Sequence, residues 1–333
     1  MVFEALASPR KSTKVLGTVV FAAFVAATLS PALVFAHDAA QADVRKSEPV
    51  IERAKSAFSR MAHRIAGIPD INHLASQSVL IQDASSGETL FSRNAGMVTP
   101  IASITKLMTA MVVLDGGLDM RQRVTITEED MDSLKFTRSR LRPGATLSRE
   151  ELIMIALMSS ENRAATALGR TYPGGMPAFV AAMNAKARKL GMADSTFHDP
   201  SGLSPLNVSS APDLARLVKA AHGYPVIREY STRDRAQVSV LGHLLNYRNT
   251  NALVRAGDWD IGLQKTGFIN EAGRCLVMRA RIASKDLVMV LLDSVGMNSR
   301  ITDAKLVRRW VEATKAAAPR VEATKVAVST RKG

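Results

Sequence analysis

The chain has 333 residues, is 47% hydrophobic and carries a formal net charge of +14, so it has the apolar content for a real core and the positive charge to meet a polyanionic partner or surface. Nucleic acid is disfavoured in that role: there is no C-x-x-C pair, no heptad array and no aromatic-rich strand motif, and aromatic residues make up only 5%. The single cysteine, Cys275, excludes an internal disulfide framework and reads as a small buried hydrophobe in a strand.

Residues 1–36 read as a targeting segment. Arg10, Lys11 and Lys14 form a basic start, residues 15–29 are uncharged and apolar, and Val34-Phe35-Ala36 follows Pro31 with small residues where a signal peptidase cuts. Cleavage after Ala36 is expected. The rival is an uncleaved anchor, because residues 15–36 are just long enough to span a bilayer. Either route exports the chain, into the periplasm in the favoured reading. Cleavage would leave a charge of about +12, so the basic character belongs to the exported part. Residues 37–70 are expected to form a linker, with a surface helix over 50–66.

A hairpin is predicted next, with strands over 79–83 and 88–91 around the turn Ala84-Ser85-Ser86-Gly87. Pro100 then leads into an apolar helix over 104–114, ending near Gly116-Gly117. Irregular structure follows to Pro143-Gly144. Helices are predicted over 149–158, 164–168, 177–190 and 211–222, with a turn at Asp199-Pro200-Ser201-Gly202. Strands over 261–264, 274–283 and 287–292 precede a helix over 301–311. Residues 316–333 repeat Val-Glu-Ala-Thr-Lys, carry Pro319 and read as a disordered basic tail. Strands at both ends thus bracket a helical middle. The economical fold is α+β: one sheet, helices against it, and a helical lobe inserted so that its edge meets the sheet at a cleft. The main domain is placed at 71–315.

Three motifs carry chemistry. Ser103 and Lys106 lie three residues apart at the mouth of the apolar helix, where they share a face. Burial disfavours an ammonium ion, so Lys106 can act as a neutral base for a Ser103 nucleophile. A second Ser-x-x-Lys, Ser8 to Lys11, falls in the targeting segment and has no catalytic meaning. In Ser160-Glu161-Asn162 a tight turn would let Ser160 pass a proton to a leaving amine while Asn162 holds Lys106 and the substrate amide. A helix C-cap followed by an N-cap explains the same residues without catalysis. Lys265-Thr266-Gly267 closes the 261–264 strand. There Lys265 and Thr266 suit a substrate carboxylate, and Gly267 permits close approach of an extended peptide, unless the tripeptide is an ordinary strand exit. His63, His73, His198, His222 and His243 form no His-x-x-x-His or His-x-x-Glu-His pair, so a metallopeptidase is disfavoured and no metal or cofactor is expected.

In this order the three motifs form the penicilloyl-serine set. From Val79 to about Trp310 the chain resembles the low-molecular-weight penicillin-binding proteins, the D-alanyl-D-alanine peptidases, and their endopeptidase branch in particular. Ser139-Arg140-Leu141, the run 156–165, Tyr172-Pro173-Gly174-Gly175 and Leu263-Gln264-Lys265-Thr266-Gly267 carry the likeness. The resemblance implies a three-layer α/β/α, β-lactamase/transpeptidase-like fold with an antiparallel sheet. It implies that Ser103 forms an acyl-enzyme with Lys106 as base, Ser160 as proton relay and Asn162 in a positioning role. Lys265, Thr266 and Gly267 would bind the substrate, and the backbone N–H groups of Ser103 and Phe268 would hold the oxyanion. Substrates would be peptidoglycan cross-linked peptides, inhibitors would be β-lactams, and wall-synthesis or hydrolase partners would be compatible.

Other readings remain open. A carboxypeptidase trimming pentapeptide stems is the nearest, although those enzymes usually carry a second, all-β domain and a C-terminal anchor, and about 20 residues after the last helix are too few for such a domain. A class A β-lactamase would need a deacylating glutamate, and Glu229 lacks the surrounding pattern. A peptidoglycan-binding module with a dead site would also suit the charge. Whether Arg274 touches substrate stays open.

Overall fold

The computed structural model describes the backbone of residues 67–329 and the side chains of 67–317. The targeting segment expected over 1–36, the helix expected over 50–66 and most of the 37–70 linker lie outside the described residues.

The first ordered hairpin pairs β1 (Ser76–Asp83) with β2 (Thr89–Arg93). Its turn is folded by the Asp83 carboxylate, which accepts from the N–H groups of Ser85 and Ser86, each at 2.9 Å. A two-residue strand β3 (Thr99–Pro100) then leads to α1 (Thr105–Asp115). Pro100 is therefore paired with Val208 in a short ribbon and does not open the helix. Residues 105–113 of α1 are all buried, which makes it the central helix of the lobe.

The lobe continues through β4 (Arg123–Thr125), β5 (Thr146–Ser148), α2 (Arg149–Met158), α3 (Asn162–Arg170), α4 (Gly175–Lys189), β6 (Val208–Ser209), α5 (Ala211–Ala221) and α6 (Pro225–Thr232). A capping box between Ser148 and Glu151 fixes the start of α2, where the sequence places it. The hairpin β7 (Arg235–Val240) and β8 (His243–Arg248) is not foreseen in the sequence. Its two-residue turn needs positive φ at both positions, and Leu241 occupies the first at 50° where asparagine or glycine would have announced it.

After the short helix α7 (Ala252–Ala256) come β9 (Asp260–Ile269), β10 (Gly273–Ile282) and β11 (Lys285–Ser294). The sheet order is β2-β1-β11-β10-β9, antiparallel throughout, so the two ends of the domain pair directly and the helical middle is an insertion. Both faces of the sheet are covered. On β11, Leu287, Met289 and Leu291 pack with Ala304, Val307 and Val311 of α8 (Ser299–Ser329), while Val288, Val290 and Leu292 join α1 and α5 in the other core. This is the three-layer α/β/α arrangement. Asp303 ties α8 to the sheet by accepting from the N–H groups of Ala75 and Ser76 at 2.9 and 2.8 Å and from the Ser76 hydroxyl at 2.6 Å.

Two boundaries differ from expectation. Lys265-Thr266-Gly267 lies inside β9, with the strand continuing to Ile269. Its polar residues mask the strand because their partners are supplied from outside it. The backbone of α8 stays helical to Ser329, where the sequence predicts an irregular tail from 316; alanine, glutamate and lysine favour the helical conformation. Among the described residues, no helix is long and apolar enough to cross a membrane.

Candidate active site

Ser103 sits in a single 3-10 turn, Ala102–Ile104, which runs into α1. One turn on, Lys106 is 1% exposed. Its Nζ lies 2.8 Å from Ser103 Oγ, 2.7 Å from Asn162 Oδ1 and 2.6 Å from the Ser201 carbonyl. The last two oxygens can only accept. A neutral amine gives them its two hydrogens and keeps its lone pair for the Ser103 hydroxyl. Burial lowers the Lys106 pKa to about 7, while the charges of Asp199 and Glu161 oppose that fall.

The turn between α2 and α3 supplies the second motif. Ser160 has a φ of 61°, a left-handed backbone that non-glycine residues adopt only under constraint. Its Oγ accepts from Lys265 Nζ at 3.0 Å. Asn162 opens α3, and its Nδ2 donates to Thr137 Oγ1 at 3.1 Å, which leaves Oδ1 for Lys106. Glu161 is buried between them and accepts from Ser139 Oγ at 2.7 Å.

The third motif faces the first two from β9. Lys265 is fully buried and also donates to the Thr266 carbonyl at 2.9 Å. From the sequence, a cationic Lys265 is expected to depress Lys106. The repulsion falls instead on Lys265, which burial pushes well below the usual lysine range, with Lys106 and Arg300 pushing the same way. Carboxylates lie close enough to act on Lys106, whereas the charges acting on Lys265 are cations. Thr266 Oγ1 is 2.6 Å from Thr250 Oγ1.

Gly267 has a different task from the one expected. A Cβ there would stand 2.9 Å from the Ile101 carbonyl and 3.2 Å from Ser103 N, so the missing side chain makes room for the nucleophile turn itself. Gly202, with a φ of 79°, closes on that turn from the other side: a Cβ would stand 2.0 Å from the Ala102 carbonyl. Phe268 is 50% exposed, and the Arg274 guanidinium stacks 4.6 Å from its ring. The expected site residues therefore converge on one cleft.

Several contributors escape a reading of the sequence. The Asp199 carboxylate folds its turn by accepting from the N–H groups of Ser201 and Gly202 at 2.6 Å and of Ser204 at 2.8 Å, and this presents the Ser201 carbonyl to Lys106. The sequence shows the turn but not its destination. Thr137 and Arg300, which donates to the Gly267 carbonyl at 2.8 Å, carry no local signal. Cys275 is buried behind β9, and burial pushes its thiol up to about 11, which disfavours a thiolate nucleophile. Among the described residues no group of three His, Cys, Asp or Glu side chains is placed to hold a metal ion.

A serine bonded to a buried lysine, a Ser-x-Asn turn and a Lys-Thr-Gly strand on this sheet define the penicillin-binding class of serine acyl-transfer proteins. Comparison with known proteins agrees. Residues 64–296 match the peptidase family described as D-alanyl-D-alanine carboxypeptidase, and the chain belongs to that family. It is 47% identical over 249 residues to a D-alanyl-D-alanine endopeptidase of Pseudomonas aeruginosa, covering 74% of this chain and 80% of that one. With the Escherichia coli D-alanyl-D-alanine endopeptidase it shares 45% over 244 residues, covering 73% and 79%. Among solved structures, a D-alanyl-D-alanine carboxypeptidase from Mycobacterium tuberculosis superposes with a TM-score of 0.65 at 26% identity, covering 75% of this chain and 93% of that one. A Streptomyces DD-transpeptidase variant gives 0.65 at 25%, covering 72% and 98%.

Proposed function

We propose that this protein is an exported, periplasmic serine endopeptidase that hydrolyses D-alanyl cross-links between peptidoglycan stems and is acylated by β-lactams. The observation that carries the reading is the three-way hydrogen bonding of Lys106 Nζ to Ser103, Asn162 and Ser201, which reserves the lone pair of the neutral amine for the serine proton. The preference for cross-links rests on likeness. Identity to the named endopeptidases is 47% and 45%, against 28% to a Bacillus subtilis D-alanyl-D-alanine carboxypeptidase.

In this reading the Ser103 hydroxyl gives its proton to Lys106 as Oγ attacks the D-alanyl carbonyl. The negative charge that forms on the carbonyl oxygen meets the N–H groups of Ser103 and Phe268. Ser160 hands a proton to the departing amine, the C–N bond breaks, and an ester to Ser103 remains. Water then attacks that ester and releases the stem. Lys265 and Thr266 hold the carboxylate on the leaving side, and that anion supplies the counter-charge that Lys265 needs to be protonated in a buried place.

The test gives the protein and its Ser103→Ala variant a cross-linked stem dimer and an uncross-linked pentapeptide together, followed by mass spectrometry. Conversion of the dimer to monomers by the wild type alone is the expected result. Loss of one D-alanine from the pentapeptide with the dimer intact would move the assignment to carboxypeptidase.

A further inference from the structure

Two anchors set the direction in which a stem peptide lies along β9, a direction that rests on the peptidase reading. The carboxylate on the leaving side belongs at Lys265 and Thr266, and the carbonyl under attack belongs beside Ser103 and Phe268. The acyl half of the substrate therefore runs onward past Phe268 toward the β9–β10 turn, antiparallel to β9, at about 3.3 Å per residue. Just there, the two walls of the cleft are joined by charge. Lys135, on the lobe loop 131–142, donates to Glu271 in the β9–β10 turn.

Neither partner is free to wander. The Asp132 carboxylate folds the lobe loop by accepting from the N–H groups of Leu134, Lys135 and Thr137 at 2.8–2.9 Å, and from the Thr137 hydroxyl at 2.7 Å. Thr137 accepts from Asn162, so Lys135 is held in a fixed relation to the Ser-x-Asn turn. Glu271 is tied in the same way to Phe268 through the strand. Both side chains keep a solvent-facing surface, 26% for Lys135 and 40% for Glu271.

We propose that Lys135 and Glu271 together recognise a zwitterionic side chain on the stem residue preceding the reacting D-alanine, one that carries a free amino group and a carboxylate on the same carbon. Such a side chain presents the complement of the pair. Its carboxylate takes Lys135, its ammonium takes Glu271, and the internal bridge opens as the substrate enters. An exposed bridge contributes little net stability, so the exchange costs little, while two charge-assisted hydrogen bonds form to the substrate. A stem with lysine at that position satisfies Glu271 but leaves Lys135 without its anion.

The experiment compares kcat/KM for two synthetic stem peptides that share the same scissile D-alanyl amide. One has a diamino dicarboxylic residue before the D-alanine and the other has lysine. The wild type is expected to favour the first about tenfold, and Lys135→Ala to bring the ratio within about twofold of one. The double variant Lys135→Glu/Glu271→Lys re-forms the bridge with its ends exchanged and is expected not to regain the preference. A wild-type ratio near one, an unchanged ratio in Lys135→Ala, or full recovery in the double variant overturns the proposal and leaves the peptidase reading standing. Hydrolysis of neither peptide by the wild type overturns that reading, and the proposal with it.

Discussion

On the sheet side of the cleft, Lys265, Thr266 and Gly267 are placed by a backbone ladder to β10, in which Thr266 faces Leu276 and Gly267 faces Cys275. On the lobe side, Ser160, Asn162 and the Ser201 carbonyl are placed by side chains that fold turns: Ser139 on Glu161, Thr137 on Asn162, and Asp199 on its own loop. The sheet wall is thus sensitive to added bulk and indifferent to most polar deletions. The lobe wall is built of single hydrogen bonds, and each can be removed alone. Ser103 stands between them, with Gly202 on one side and Gly267 on the other.

Four substitutions sharpen this contrast. The largest effect is expected from Gly202→Ala, which meets both a 2.0 Å contact and a positive φ. It should cut acylation by labelled penicillin at least about a thousandfold and cost about 3 kcal/mol or more in denaturant melts. Near-normal acylation would show that the nucleophile turn is not clamped. Gly267→Ala meets only a 2.9 Å contact in an ordinary strand conformation, and a loss of about a hundredfold with nearly unchanged stability is expected.

Asp303→Ala tests the reverse case, remote from both walls. It strands the N–H groups of Ala75 and Ser76, and a loss of about 2–4 kcal/mol is expected with acylation of the folded fraction unchanged. A drop in acylation rate would mean that the outer layer also shapes the cleft. Glu161→Gln should be the mildest. The Glu161 charge supports the protonated form of Lys106, so its removal lets that pKa fall further below about 7. The acid limb of kcat/KM, where the base must lose its proton, then moves to lower pH. A limb that stays still or rises would contradict the electrostatic role given to Glu161.

The sequence is most readable where the physics is local. Ser103 and Lys106 are three residues apart and share a face by helix geometry alone. The start of α2 is written in its capping box, and the runs 274–283 and 287–292 are apolar because both faces of those strands are buried. Long-range polar partners are not readable. Asp199 acts through the backbone of Ser201, and Thr137 through the amide of Asn162. The extension of β9 through Lys265-Thr266-Gly267 is hidden because a buried lysine looks like a strand end until the Ser160 hydroxyl is seen to receive it. The β7–β8 hairpin is hidden by an unusual turn residue, Leu241.

Strand β9 is the outermost of its sheet, with β10 on one side and no strand on the other. Proteins commonly blunt such a rim with proline, outward lysine or a covering helix, because it invites strand addition from a neighbouring molecule. None of those devices is compatible with admitting an extended peptide beside Ser103. The catalytic rim is therefore also the place where self-association at high concentration should begin, and a covalently bound β-lactam, by filling it, should keep the protein dispersed.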